Sequence, residues 1–192
     1  MINIADKDKL YKSYDHQEKM DRGVYFTIDY NGLWYSHGGA LAGPIKRDRL
    51  AGLFGGAGKG FMAGKGLFID EDGQYWLKSP DGQYKVEVED VPFLITRYEI
   101  QSAGTPDQKI DLYTNFDEPV FLDAEHPLIV AKEPARGTDV FYVEIRNGLK
   151  ARFSKSVFHD IVSKCVIAAS PNSETKYILR SYSQDFEIMD LS

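Results

Sequence analysis

The sequence of 192 residues has a single cysteine, Cys165, and therefore has no partner for an internal disulfide. Because nothing in it requires an oxidising compartment, we expect a cytoplasmic protein. Long apolar runs are also missing: no stretch approaches the roughly 18 residues of a transmembrane helix, and residues 1–10 lack the apolar run of a signal peptide. From these absences we predict that the protein is not exported and does not contact a membrane.

An excess of basic residues is missing too, since 23 Lys and Arg face 29 Asp and Glu, for a net charge of -6. We therefore expect no nucleic-acid partner. The chain does have 43% hydrophobic and 13% aromatic residues, enough for a packed core. At about 150 residues per domain, its length allows one large or two small domains.

Motifs that identify a reaction are absent as well. There is no G-x-S-x-G sequence, and the P-loop pattern fails because Gly60 stands where Ser or Thr should follow Gly58-Lys59. The histidines do not have the spacing of zinc ligands; they are His16, His37, His126 and His159. We expect neither a metal nor a cofactor.

Two Asn-Gly pairs are the strongest local signals. Asn31-Gly32 separates alternating apolar segments at 24–30 and 33–35, and Asn147-Gly148 stands in a similar context. Asn-Gly suits the positive φ angles of a tight hairpin turn, so each pair predicts a β-hairpin.

A short amphipathic helix is predicted after each hairpin. The first would cover residues 44–54 and begin at Pro44. The second would begin after Ser154 as N-cap, with its apolar face formed by Val157, Phe158, Ile161, Val162 and Cys165.

The two halves also match after these helices. The segment YWLKS at 75–79 aligns with YILRS at 177–181, and a further strand segment follows each. The common order predicts an α+β fold with two β-rich domains built from a repeated hairpin-helix-meander motif.

The repeat also predicts the domain boundaries. We place an N-terminal arm or short helix at residues 1–22, a first α+β domain at 23–94 and a second at 95–192. The glycine-rich segment 55–66 is interpreted as a flexible connector or, alternatively, as an anion- or ligand-binding loop.

Short motifs along the chain are more informative in their order than singly. They are GLWY at 32–35, GPIKR at 43–47, LAGLF at 50–54, YWLKSP at 75–80, VEVEDVPF at 86–93, Thr114-Asn115, Asp123, HPL at 126–128 and NGL at 147–149. In this order they make residues 24–190 resemble the bacterial family catalogued as domain of unknown function 1285.

The resemblance implies a two-domain α+β protein of repeated β-rich motifs. It also implies an undetermined function, with a suggested part in signal transduction, and it supplies no catalytic residues to carry over. The chain departs from the family pattern at residues 55–66 and 80–83, so the resemblance does not support a site built from those segments.

We predict a non-enzymatic ligand- or partner-binding module that binds a small molecule or a protein. The candidate ligand-binding residues are Trp34, Tyr35, His37, Arg47, Glu89, Asp90 and His126. Each has an alternative structural role: Trp34 in the core, Arg47 on a helix surface, and Glu89-Asp90 at a solvated strand end.

The alternative is a small hydrolase or transferase with a histidine and carboxylate pair. Its candidates are His37 or His126 with Asp90, Asp123 or Glu125. A histidine and a carboxylate within hydrogen-bond distance in a concave pocket would favour this alternative.

Overall fold

The computed structural model describes residues 23–37, 43–46, 66–79, 82–132, 137–169 and 176–188. The predicted arm at 1–22, Arg47, and most of the segments 44–54 and 55–66 lie outside these residues. Cα packing divides the chain into two units, residues 1–89 and 90–192.

The first unit contains a six-stranded sheet with the order β3-β2-β1-β6-β5-β4. Its strands are β1 (Val24–Ile28), β2 (Trp34–Ser36), β3 (Gly43–Pro44), β4 (Gly66–Ile69), β5 (Tyr75–Ser79) and β6 (Gly82–Val88). Neighbours are antiparallel except β1 and β6, which run parallel with Thr27 opposite Glu87. This parallel pair joins the N-terminal hairpin to the β4–β6 meander.

The β1–β2 hairpin is confirmed, and its turn is built by Asp29. One carboxylate oxygen of Asp29 accepts the backbone N–H groups of Asn31 at 2.9 Å and Leu33 at 2.8 Å. Gly32 has a φ of 71°, which glycine adopts without steric cost. The local sequence therefore determines this turn.

The apolar core of the first unit comes from alternating strand positions. Its buried side chains include Val24, Ile28, Trp34, Leu67, Leu77 and Val86. Burial stabilises the folded state by about 1.5–3 kcal/mol for each large apolar side chain.

The second unit contains another six-stranded sheet, with the order β10-β11-β12-β7-β8-β9. Its strands are β7 (Phe93–Gln101), β8 (Lys109–Thr114), β9 (Pro119–Phe121), β10 (Leu128–Lys132), β11 (Asp139–Arg146) and β12 (Leu149–Phe153). The β11–β12 hairpin is confirmed, and Asn147 at its turn has a φ of 47°. The pair β12 and β7 is parallel, and the other pairs are antiparallel.

Helix α1 (Lys155–Cys165) follows β12 and packs against β7. The predicted cap is present, because the hydroxyl of Ser154 accepts the N–H of Val157 at 3.4 Å. Val157 and Ile161 are buried one turn apart, and the ring of Phe158 packs on Phe141 with centroids 4.6 Å apart. This apolar face fixes the helix on the unit.

A three-stranded antiparallel sheet completes the second unit. It consists of β13 (Val166–Ala169), β14 (Lys176–Ser181) and β15 (Gln184–Ile188). The turn between β14 and β15 contacts β8: the N–H of Tyr182 donates to the carbonyl of Gln108 at 3.0 Å, and the N–H of Ile110 donates to the Ser181 hydroxyl at 3.0 Å. Hydrogen bonds donated by backbone N–H groups of both sheets therefore attach this sheet to the larger one.

The predicted α+β class is wrong: the protein is mostly β, and the part of the chain that the structure describes has one short helix. Pro44, predicted to begin a helix, lies in β3 and pairs with Tyr35. The apolar residues after Pro44 have helical spacing, but at Pro44 the pairing of β3 with β2 outweighs this local preference for a helix.

The predicted repeated hairpin-helix-meander motif is not borne out either. In the first unit, the hairpin and the meander belong to one sheet through β1 and β6. In the second unit, the matching hairpin β11–β12 pairs with β7, and the matching meander β13–β15 forms a separate sheet. Similar turn sequences produce similar hairpins, but long-range packing determines which strands pair with each hairpin.

The predicted domain boundaries, 1–22, 23–94 and 95–192, stay a prediction, although β7 continues across residues 94 and 95.

None of the helices among the described residues has both the length and the apolar character needed to cross a membrane.

Candidate functional site

The predicted site residues of the first unit lie on or beside the β1–β2 hairpin. Trp34 is buried, with 1% of its surface exposed, and its ring and that of Phe26 are in a T-shaped arrangement with centroids 6.1 Å apart. The hydroxyl of Tyr35 donates to the second carboxylate oxygen of Asp29 at 3.2 Å. These contacts give both aromatic residues a structural role.

His37 and Glu89 have structural contacts of their own. The Nε2 atom of buried His37 lies 2.7 Å from the hydroxyl of Thr27. Exposed Glu89 accepts the backbone N–H of Tyr30 at 2.7 Å. A ligand-binding role for Trp34, Tyr35, His37, Glu89 and Arg47 stays a prediction, and Arg47 lies outside the described residues.

Asp90 forms a buried network at the beginning of the second unit. Its Oδ2 accepts a hydrogen bond from Arg152 Nη1 at 2.8 Å, and its Oδ1 accepts one from the Tyr142 hydroxyl at 3.1 Å. The Asp90 and Arg152 side chains are only 8% and 6% exposed. This Asp90 network ties the segment before β7 to β11 and β12, and ligand binding by Asp90 stays a prediction.

His126 does meet a carboxylate, as the enzyme alternative requires. Its Nδ1 lies 3.1 Å from Asp123 Oδ1, but that oxygen also accepts the backbone N–H groups of Glu125 at 2.9 Å and His126 at 3.0 Å. An aspartate carboxylate that accepts the backbone N–H groups of the residues two and three positions later stabilises a turn. The contact therefore has a structural explanation, and ligand binding by His126 stays a prediction.

A separate depression of about 640 Å³ lies between β7 and α1, and sequence reasoning missed it. Polar side chains from both elements line it together with Val157, and apolar atoms form most of its surface. The lining residues are Thr96, Arg97, Tyr98, Ser156, Val157, His159, Asp160 and Ser163. We call it the β7–α1 depression.

Asp160 connects the two walls of the β7–α1 depression. Its Oδ2 accepts a hydrogen bond from the Tyr98 hydroxyl at 2.6 Å, and its Oδ1 pairs with Lys164 Nζ at 2.6 Å. Hydrogen bonds from Lys164 and Tyr98 hold the pKa of the Asp160 carboxyl below its usual value of 3.8. The carboxylate is therefore ionised throughout the physiological pH range.

Arg97 lies at the β7 side of the depression and already has an anionic partner. Its guanidinium group pairs with Glu99 and stacks on the ring of Tyr113 at 3.5 Å from the centroid. Such stacking restricts the flexible arginine side chain. The local charge of Arg97 is consequently balanced before any ligand arrives.

A metal site has no support in the residues that the structure describes, where no group of three or more His, Cys, Asp or Glu could hold an ion. The β7–α1 depression offers one carboxylate and one imidazole, from Asp160 and His159. Asp160 is already bound by a tyrosine and a lysine. The arrangement is suited to hydrogen bonding.

The sequence carried only a weak signal for this site. Tyr98 and Asp160 are 62 residues apart, and their contact depends on how α1 packs on β7. The exposed positions of the correctly predicted helix were the available clue, since Ser156, His159 and Ser163 recur at spacings of three and four.

Comparison with protein families identifies the chain. The family model described as protein of unknown function (DUF1285), C-terminal domain, matches residues 92–188. The chain therefore belongs to the DUF1285 family, which confirms the resemblance found in the sequence motifs. No curated protein matches the chain.

Solved structures of the same family resemble this one. A DUF1285 family protein from Silicibacter pomeroyi DSS-3 has a TM-score of 0.69 at 20% identity, over 86% of this chain and 80% of that one. A DUF1285 family protein from Shewanella baltica OS155 has a TM-score of 0.48 at 19% identity, over 73% of this chain and 91% of that one. The first comparison shows a shared fold.

Proposed function

We propose that this chain is a bacterial cytoplasmic ligand-binding module whose second unit binds a small polar molecule in the β7–α1 depression. The observation that carries the proposal is the depression itself, which is open to solvent, has a volume of about 640 Å³ and has walls formed by a strand and a helix. Polar groups from a strand and a helix converge there, as orientation of a ligand requires. A part in signal transduction would follow if the bound ligand changed a surface recognised by a protein partner.

The walls of the depression are held in place without a ligand. Val157 and Ile161 are buried beneath α1, and the hydrogen bond from Tyr98 to Asp160 links β7 to the helix at 2.6 Å. A preformed site avoids the entropy cost of ordering its own side chains on binding. This rigidity favours binding of a small molecule.

The contacts inside the depression favour binding over catalysis. A serine nucleophile needs a base that accepts its proton. The Ser163 hydroxyl instead donates to the backbone carbonyl of Asp160 at 2.9 Å, and the Asp160 carboxylate is bound by Tyr98 and Lys164. The Asp160 carboxylate is therefore not placed to take the proton of Ser163.

The proposal is tested by thermal-shift screening of the full chain against a broad metabolite library. Three proteins are compared: wild type, Ser163→Trp, whose indole fills the depression, and Lys155→Trp as matched control. Lys155 is exposed on the same helix but does not line the depression. We expect a ligand that raises the Tm of wild type and Lys155→Trp, with no shift in Ser163→Trp.

At a concentration of 100 Kd, such a ligand stabilises the folded state by about 2.7 kcal/mol, which corresponds to several degrees in Tm. A ligand that stabilises all three proteins equally binds elsewhere and contradicts the proposed site. If no compound in the library raises the Tm of the wild type, the proposed function is contradicted.

A further inference from the structure

The oxygens of the β7–α1 depression are largely hydrogen-bond acceptors. The Tyr98 hydroxyl donates its proton in a hydrogen bond to Asp160 Oδ2, and the Ser163 hydroxyl donates its proton in one to the backbone carbonyl of Asp160. Both hydroxyl oxygens can then only accept further hydrogen bonds, and an ionised carboxylate also only accepts. A ligand at these atoms must supply donors.

The formal charges around the depression already balance. The carboxylate of Asp160 has Lys164 at 2.6 Å, and the guanidinium group of Arg97 is paired with Glu99. An anion would lie near the acceptor oxygens, and a cation would lie near Arg97 and Lys164. Neither sign of charge therefore finds a complementary, uncompensated partner.

The remaining polar groups can both donate and accept. They are the hydroxyls of Thr96 and Ser156 and the imidazole of His159. Ser156 Oγ lies 3.3 Å from Ser154 Oγ, an arrangement in which either oxygen can be the donor. Alternating donors and acceptors on a ligand would match this set.

From these contacts we infer that the β7–α1 depression binds a neutral, polyhydroxylated ligand of the monosaccharide class. Each sugar hydroxyl donates to an acceptor such as Tyr98 Oη or Ser163 Oγ and accepts from a neighbouring donor. The volume of about 640 Å³ leaves room for bridging waters beside one sugar ring. This inference rests on the proposed function and adds the chemistry of the ligand.

The decisive experiment changes the charge of the ligand while the ring stays the same. The full chain is titrated with glucose, galactose and mannose. Binding is detected by NMR, which follows affinities into the mM range. Each hexose is accompanied by its 6-phosphate and its 2-amino form. We expect at least one neutral hexose to bind, and its anionic and cationic forms to bind about tenfold more weakly.

Two variants test the acceptor oxygens directly. Ser163→Ala and Tyr98→Phe each remove one acceptor, and we expect each to weaken binding of the neutral hexose about three- to tenfold. Lys155→Ala changes an exposed residue of the same helix that does not line the depression, so binding should be unchanged. Equal affinity of the wild type and both acceptor variants overturns the inference.

The outcomes separate this inference from the proposed function. If a charged sugar or another ion binds more tightly than every neutral hexose, and Ser163→Trp abolishes that binding, the ligand class is wrong and the proposed function stands. If no neutral hexose binds at all, the inference is overturned. If no ligand in the library depends on the depression, the proposed function is overturned with it.

Discussion

Two aspartates of the second unit have the same kinds of partner in opposite surroundings. Asp90 binds the Tyr142 hydroxyl and the Arg152 guanidinium group, and Asp160 binds the Tyr98 hydroxyl and the Lys164 ammonium group. The Asp90 side chain is 8% exposed, whereas that of Asp160 is 42% exposed. Burial is thus the main difference between the two arrangements.

That difference decides what each aspartate can do. A buried ion pair has lost its hydration, so it needs every partner and locks the elements that carry it. An exposed pair is screened by water and contributes little to folding, but its remaining lone pairs are accessible. The Asp90 network therefore maintains the fold, and Asp160 can orient a ligand.

Breaking the buried network should have the largest effect on stability. Arg152→Met removes the cation and leaves the Asp90 carboxylate with the Tyr142 hydroxyl. We expect a loss of about 3–5 kcal/mol in the free energy of unfolding, because an uncompensated buried charge remains. Urea denaturation followed by circular dichroism measures this loss.

A double variant isolates the effect of the buried charge. Asp90→Leu combined with Arg152→Met replaces both ions by apolar side chains, and it should recover most of the lost stability. If Arg152→Met alone costs less than about 1 kcal/mol, the distinction between the buried and the exposed aspartate is wrong.

A third aspartate, the buried Asp111, takes part in an interaction that depends on pH. The Tyr182 hydroxyl donates to Asp111 Oδ1 at 2.5 Å, and Gln101 donates to Oδ2 at 3.2 Å. Burial, followed by the hydrogen bond to Asp111 and the charge of that group, raises the pKa of Tyr182 to about 12. An unfolded tyrosine titrates near pH 10.

Because the pKa is raised on folding, Tyr182 stabilises the protein fully below pH 10, and this contribution is lost between about pH 10 and 12. We expect the free energy of unfolding to fall by about 1–2 kcal/mol across that range, after allowance for screening by solvent. Urea denaturation at about pH 9, 10, 11 and 12 measures the decline.

Tyr182→Phe is the control for this decline. The variant should be less stable at neutral pH by about 1–2 kcal/mol, since Asp111 loses a hydrogen bond, and its stability should depend less on pH above 10. An identical alkaline decline in wild type and variant would assign the effect to the other tyrosines.

Turn and cap chemistry explains why parts of the fold could be predicted from sequence. Asn147 and Gly148 adopt the positive φ angles that Asn-Gly favours, and Ser154 caps α1 as its position before the apolar face indicated. Such features depend on neighbouring residues only. The parallel pairing of β1 with β6 and of β12 with β7 joins distant segments, and local patterns do not encode it.

The candidate site was harder to predict for the same reason. Residues chosen by type, such as Trp34 and His37, are buried in the first unit. The lining residues of the β7–α1 depression include two serines, a threonine and an aspartate, which come together only because α1 packs against β7. Their residue types are common on solvated surfaces, so sequence alone could not distinguish them.

Removing the cation from the exposed pair should have the smallest effect on stability. Lys164→Ala leaves Asp160 with its hydrogen bond from Tyr98, and the urea midpoint should stay within experimental error of wild type. The pKa of Asp160 should rise toward its usual value of 3.8, because the hydrogen bond from Lys164 is the largest cause of its lowering.

Carboxyl-carbon NMR titration measures this pKa in wild type and variant. A lowered folded pKa stabilises the protein above the unfolded pKa, and that stabilisation is lost as pH falls through the folded value. Any difference in stability between Lys164→Ala and wild type should therefore be present at neutral pH, where screening by solvent keeps it small, and should vanish at acidic pH. A loss of stability at neutral pH as large as that of Arg152→Met would show that Asp160 maintains the fold as Asp90 does, and that the exposed pair is not available to a ligand.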